Sequence, residues 1–259
     1  MIKIMTGIQK GGVGKSTTTA IVAEILAASG YSVLVVDLDS QGNVTEMLTQ
    51  RNIYEFSGNT VLEAVKERNP NPYIVDLKEN LSILPAEDML ATFSRWLYVN
   101  DKTLNPARVL QETLDNLNMD YDFVLMDCPP NLGDIVANAL SCADYVIIPV
   151  QPEAFALNAL DKFLQFIGAA QEDGYTEAEV LGIACTMVDG RNAVHKSIID
   201  VIREKHGDAV FKSEIRLRAK IKEYALIGTQ MKRKVDADAL QDYISLTEEM
   251  IYRVKEQQN

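Results

Sequence analysis

The chain of 259 residues contains no apolar run approaching the roughly 18 residues that a membrane-spanning helix requires, so no membrane segment is expected. Its opening, "MIKIMTG", lacks the long apolar stretch and small-residue cleavage site of a secretory leader. Three cysteines, Cys128, Cys142 and Cys185, are too few and too scattered for a disulfide framework or a paired-cysteine metal site, which fits a reducing cytoplasm. Internal repeats, low-complexity runs and Pro/Gly/Ser-rich linkers are also missing, and a single domain over 1–259 is expected. Positive charge is scarce: a net charge of −12 excludes a whole-surface attraction to nucleic acid. One region departs from that balance. From Asp189 to Lys234 twelve Lys/Arg face six Asp/Glu, an asymmetry that can direct a polyanion to one face.

Hydrophobic residues make up 47% of the chain, enough for a sizeable core, and they recur in two alternating patterns. Short apolar or β-branched runs at 2–6, 32–39, 81–86, 122–127, 144–150 and 180–188 read as buried strands. Between them Ser16–Ser29, Asn105–Leu117, Ala154–Glu172 and Val194–Lys205 carry apolar residues at helical spacing, and Ala237–Val254 reads as a final amphipathic helix. The stretch 50–99 breaks this rhythm and is expected to hold helices packed on the core. Alternation of this kind predicts an α/β fold, a mostly parallel twisted sheet with helices on both faces, and ligands at the carboxyl ends of the strands.

The segment "IQKGGVGKSTTTA" follows the first expected strand and opens the first expected helix, the context in which a phosphate-binding loop works. Backbone amides of Gly11, Gly12, Val13, Gly14, Lys15, Ser16 and Thr17 would turn around phosphate oxygens. In that reading Lys15 reaches the terminal phosphates of ATP and the Ser16 hydroxyl ligates Mg²⁺. Carboxylates are expected where apolar strands end: "FVLMD" supplies Asp127 to orient Mg²⁺ or its waters, and "VVDLDSQGN" supplies Asp37 and Asp39.

The usual first glycine of such a loop is replaced by Gln9, and Lys10 follows it. "KGGVGKST" thereby resembles the deviant Walker A motif of ParA-type partition ATPases, MinD and nitrogenase iron protein. "DLDSQGN", "DCPPNLGDIVANALSCADYVIIPVQPEAFAL" and "FKSEIRLRAKIKEYALIG" follow in order and extend the resemblance over most of the chain, toward the small ParA/Soj-type P-loop NTPases. The resemblance implies that Lys10 crosses to the nucleotide of a second copy in an ATP-sandwiched homodimer. It also implies that Asp39 orients the attacking water, with Asp37 in support. Arg191 and Lys220 match positions through which ATP-bound dimers hold DNA without sequence specificity, and Arg216, Arg218 and Lys222 cluster around Lys220. The 232–234 run, Lys232, Arg233 and Lys234, adds to the charge. A ParB-like DNA-bound partner and a nucleoid location are implied as well.

The P-loop begins within ten residues of Met1, so no helix-turn-helix domain is expected ahead of it. The family's proline-arginine pair and "LSEAPSFG", which lie near the adenine in relatives, are replaced by "IRLRAKIKEYALIG", which adds charge. A MinD-like membrane-positioning ATPase is the alternative, but "SLTEEMIYRVKEQQN" is mixed in charge and ends in polar residues, so no membrane contact is expected. An iron–sulfur role is disfavoured because Cys128 directly follows Asp127 and has no well-placed second thiol.

Overall fold

The computed structural model describes residues 1–100, 105–228 and 234–258. Its strands are β1 (Ile2–Thr6), β2 (Val33–Asp37), β3 (Val75–Lys78), β4 (Leu81–Leu84), β5 (Phe123–Asp127), β6 (Tyr145–Val150) and β7 (Glu179–Cys185). They form one sheet in the order β3-β4-β2-β5-β1-β6-β7, and all neighbours are parallel except β3 and β4. The helices are α1 (Lys15–Ala28), α2 (Asn43–Thr49), α3 (Val61–Glu67), α4 (Phe93–Asn100), α5 (Val109–Leu114), α6 (Asp134–Cys142), α7 (Ala156–Glu172), α8 (Ala193–His206), α9 (Ala219–Ile227) and α10 (Lys234–Gln257).

Because side chains alternate across a strand, each central strand feeds two cores. Leu34 and Val36 of β2 pack on the face that α3, α5, α6, α7 and α8 cover, while Val33 and Val35 pack beneath α1, α2, α9 and α10. Coverage on both faces explains why β2, β5 and β6 are buried at every position and read as continuous apolar runs. The outer edge of β7 is covered by an irregular stretch of chain. Phe211 and Ile215 donate backbone N–H groups to Ile183 and Cys185 at 2.9 and 2.8 Å, and Leu217 donates to Val188 at 2.9 Å.

Three expectations need correcting. The stretch 50–99 holds a strand hairpin as well as helices: "VDLK" alternates half-buried Val75 and Leu77 with exposed Asp76 and Lys78, the pattern of an antiparallel edge. The helix expected over Asn105–Leu117 is a 3₁₀ turn at Pro106–Arg108 followed by the six residues of α5, since Pro106 starts a helix well but gives the preceding turn no N–H. Strand β2 also stops at Asp37, short of residue 39, because the Asp37 carboxylate accepts the Asp39 N–H and turns the chain.

The consequence for function is positional. Strand β1 lies between β5 and β6, and the chain leaves it through α1 to reach β2 on the far side of β5. The loop after β1 therefore opens at a crossover point, flanked by the carboxyl ends of its neighbours, where parallel sheets hold ligands.

Candidate nucleotide site and basic surface

The loop from β1 into α1 bends at Gly12 and Gly14, whose φ angles of 74° and 81° are left-handed and suit glycine. Gly14 caps α1 without a side-chain hydrogen bond, so the amides of the first turn remain to be satisfied by an anion. They border a cleft of about 430 Å³ lined by Gly11, Gly12, Gly14, Lys15, Ser16 and Thr17, with Asp39 and Gln41 opposite. Val13 contributes only backbone: its side chain is fully buried, and its carbonyl accepts the Thr186 hydroxyl at 2.8 Å.

Lys15 is buried and donates its ammonium to the Lys10 carbonyl at 3.2 Å. Burial pulls its pKa down, while the charges of Asp127 and Asp39 work the other way. At the head of α1, Ser16 Oγ donates to Asp127 Oδ2 at 2.6 Å, and Thr19 Oγ1 lies 3.3 Å from Asp127 Oδ1. Asp127 is inaccessible to solvent, and burial, followed by the charge of Asp37, pushes its pKa up to about 8. Hydroxyl and carboxylate oxygens around an under-neutralised acid are the donor set that a hard dication takes. The residues thus fit Mg²⁺, which Ser16 and Asp127 would hold. Among the described residues no group of three acidic, His or Cys side chains could hold a metal alone. Mg²⁺ is usually bound by one or two protein oxygens together with substrate phosphates, so such a cage is not needed.

The two strand-end aspartates divide their work. Both oxygens of Asp37 are committed: Oδ2 accepts the Thr45 N–H and hydroxyl at 2.9 and 2.7 Å, and Oδ1 accepts the Asp39 N–H at 3.1 Å. Asp37 ties β2 to α2 and does not line the cleft. Asp39 lines it, with Oδ1 accepting the Gln41 N–H at 3.0 Å. Lys10 is placed outside the lining of its own cleft, with Nζ 3.7 Å from Glu153 Oε2 in the turn after β6.

Participants that escaped the sequence reading include Thr19, Thr186 and Met187, the last lining the cleft just after β7. Thr19 had a signal. Thr17, Thr18 and Thr19 are poor helix formers in a helix interior, so a hydroxyl there has other work.

The basic residues do not form one free cluster. The Val188 N–H donates to Ile215 O at 2.9 Å, which sets the loop bearing Arg191 beside the segment bearing Arg216 and Arg218. The Arg191 side chain is 94% exposed and lies near Asp189. Arg216 forks onto Asp242 of α10, its Nε 3.1 and 3.0 Å from the two carboxylate oxygens, and Arg218 Nε lies 3.5 Å from the same group. Lys220 pairs with Glu223 at 2.7 Å and lies 5.7 Å from the Tyr224 ring centroid, while Lys222 is exposed. Lys232 and Arg233 lie outside the described residues, and Lys234 opens α10.

A parallel sheet with a glycine loop, buried Lys15 and the Ser16–Asp127 pair at its central strand defines a P-loop nucleoside-triphosphate hydrolase. A family model described as an AAA domain matches residues 1–180. The sporulation initiation inhibitor protein Soj of Bacillus subtilis is 32% identical over 223 residues, covering 83% of this chain and 84% of that protein. The chromosome partitioning protein ParA of Caulobacter vibrioides is 31% identical over 262 residues, covering 96% and 94%. Cobyrinic acid a,c-diamide synthase from Mycobacterium smegmatis, solved with bound ADP and magnesium, superposes with a TM-score of 0.81 at 26% identity, covering 98% of this chain and 96% of that one. The chain belongs to the ParA/Soj family of partition ATPases, with ATP and Mg²⁺ as its nucleotide and metal.

Proposed function

We propose that this ATPase is a DNA-segregation switch. Two copies join around ATP, the joined pair holds DNA without sequence preference, and hydrolysis stimulated by a ParB-like partner releases it. The observation that carries this reading is the contrast between two lysines of one loop. Lys15 lines its own cleft, whereas Lys10 does not, and the Lys10 ammonium lies 3.7 Å from the Glu153 carboxylate in the turn after β6. A lysine placed there is available to a nucleotide held by a second copy, and positive charge supplied to the developing phosphoryl anion is the main lever on phosphoryl transfer.

In this scheme the backbone from Gly11 to Thr17 and the Lys15 ammonium hold the phosphates. Ser16 and Asp127 hold Mg²⁺, Asp127 through water, and the metal when bound offsets phosphate charge. Asp39 orients the attacking water. Pairing two copies doubles the basic surface of Arg191, Arg216, Arg218, Lys220 and Lys222, so DNA affinity follows nucleotide state. Slow intrinsic turnover then acts as a timer for moving a plasmid, chromosomal origin or mobile element over the nucleoid.

The test is duplex DNA binding without nucleotide, with ADP and with ATP, each across a salt series. Tight, salt-sensitive, sequence-independent binding in the ATP state alone is expected. Equal affinity in all three states would refute the switch and leave a constitutive DNA binder.

A further inference from the structure

Phe155 breaks three local rules at once. It is the N-cap of α7, a position that favours Ser, Thr, Asp or Asn, and it makes no side-chain cap hydrogen bond. Its backbone is left-handed, with φ 66° and ψ 5°, a conformation strained for a bulky residue. The residue is 79% exposed, the most exposed of the large apolar residues among those described. A ring that caps nothing, strains the backbone and fills no core of its own chain has its use outside that chain.

Its position says where. Phe155 ends the turn after β6, on the rim of carboxyl strand ends where the nucleotide cleft opens. Glu153 of the same turn faces Lys10 at 3.7 Å, accepts the Gln151 amide at 2.6 Å and accepts the Ala156 N–H through its carbonyl at 3.1 Å. The ring does not line the cleft of its own chain. A body that draws Lys10 away from Glu153 must come against this turn.

We infer that Phe155 is an apolar anchor of the interface with a second copy of this chain, seated on the partner's rim when Lys10 engages the partner's nucleotide. The inference rests on the nucleotide-dependent pairing proposed above. In a twofold contact the same turn is presented by both copies, so the anchor acts twice. Buried aromatic anchors carry a disproportionate share of interface energy, and the backbone strain is tolerated because the ring is needed in that position.

The test is Phe155→Asn, because asparagine suits both the left-handed backbone and the cap. Self-association is measured by sedimentation with Mg²⁺ and a non-hydrolysable ATP analogue, and the nucleotide-free monomer is melted in parallel. The expected result is a monomer at least as stable as wild type, its midpoint raised by about 2–4 °C, with dimerisation weakened by about 30-fold or more. Lys10→Ala serves as the control for the underlying reading. Wild-type protein that stays monomeric with the analogue, or Lys10→Ala that still pairs, overturns the sandwich itself. Wild type that pairs, Lys10→Ala that does not, and Phe155→Asn that pairs normally overturns the anchor alone. A destabilised Phe155→Asn monomer also overturns it, since the ring would then be serving its own fold.

Discussion

Asp242→Asn isolates the question of whether Arg216 and Arg218 belong to the DNA surface. The Asp242 carboxylate is nearly buried and accepts the Arg216 N–H at 3.2 Å as well as the guanidinium fork. Burial alone would push its pKa up, but the Arg216 hydrogen bonds and the charges of Arg216 and Arg218 hold it below the usual carboxylate value. It is therefore ionised at neutral pH and cancels one of the two arginine charges. Asparagine keeps the shape and removes that cancellation, a gain of one net positive charge per copy. If this segment faces phosphate, the slope of log K against log salt steepens by up to about 0.9 per copy, and affinity near 0.1 M salt rises by up to roughly eightfold for each copy engaged. The Arg216 side chain is 56% exposed and screened by solvent, so the cost to the fold should be only about 1 kcal/mol. Anisotropy of a labelled duplex in the ATP state, across a salt series, reads slope and affinity together. An unchanged slope with an intact melting transition would remove Arg216 and Arg218 from the interface and leave Arg191 and Lys222 as its exposed members.

Asp39→Ala is expected to bind nucleotide normally while ATP hydrolysis falls at least about 100-fold, trapping the paired state; phosphate release within tenfold of wild type would show that Asp39 does not position the water. Asp37 gives a pH signature, because burial raises its pKa from 3.8 to about 6. The folded state then binds the extra proton, so the stability from this group is fully present below the unfolded pKa and is lost as pH rises through the folded one. The whole loss is about 3 kcal/mol, about half of it between pH 5 and 8, and urea unfolding should show wild type falling relative to Asp37→Asn over that range; parallel profiles would refute the assignment. Arg253→Ala should cost about 3 kcal/mol and lower the melting midpoint by roughly 10 °C. The Arg253 guanidinium lies 4.2 Å from the Phe211 ring centroid, donates to Leu181 O and Val210 O at 2.9 and 3.0 Å, and so fastens α10 over the edge of β7. A loss below about 1 kcal/mol would show that this fastening is dispensable.

What could be read from the chain and what could not divide along a physical line. The phosphate loop is contiguous: strand, glycines, Lys15, Ser16 and helix are neighbours in sequence, so spacing alone specifies the backbone cradle. Strands buried on both faces announce themselves as apolar runs, whereas the four residues of β3 are too short for their alternation to stand out. The resemblance gives Asp39 the water and Asp37 a supporting part, but the sequence does not show what Asp37 supports. Thr45, in the first turn of α2, claims Asp37 and leaves Asp39 facing the cleft.

The basic segment hides its pairing from the sequence, since the charge that neutralises Arg216 lies 26 positions away on α10. Counting Lys and Arg along the chain measures supply, but the charge offered to a polyanion is what remains after each cation has met its carboxylate. Phe155 inverts the lesson: the sequence does not single it out, and its left-handed backbone and exposure set it apart. Lys10, held by a rim carboxylate and outside its own cleft, and Phe155, held strained and bare two residues from that carboxylate, are both unfinished in one copy of the chain. In the pairing proposed above, a second copy meeting the same rim would complete both with one contact, and nucleotide loading and pairing would then rise and fall together.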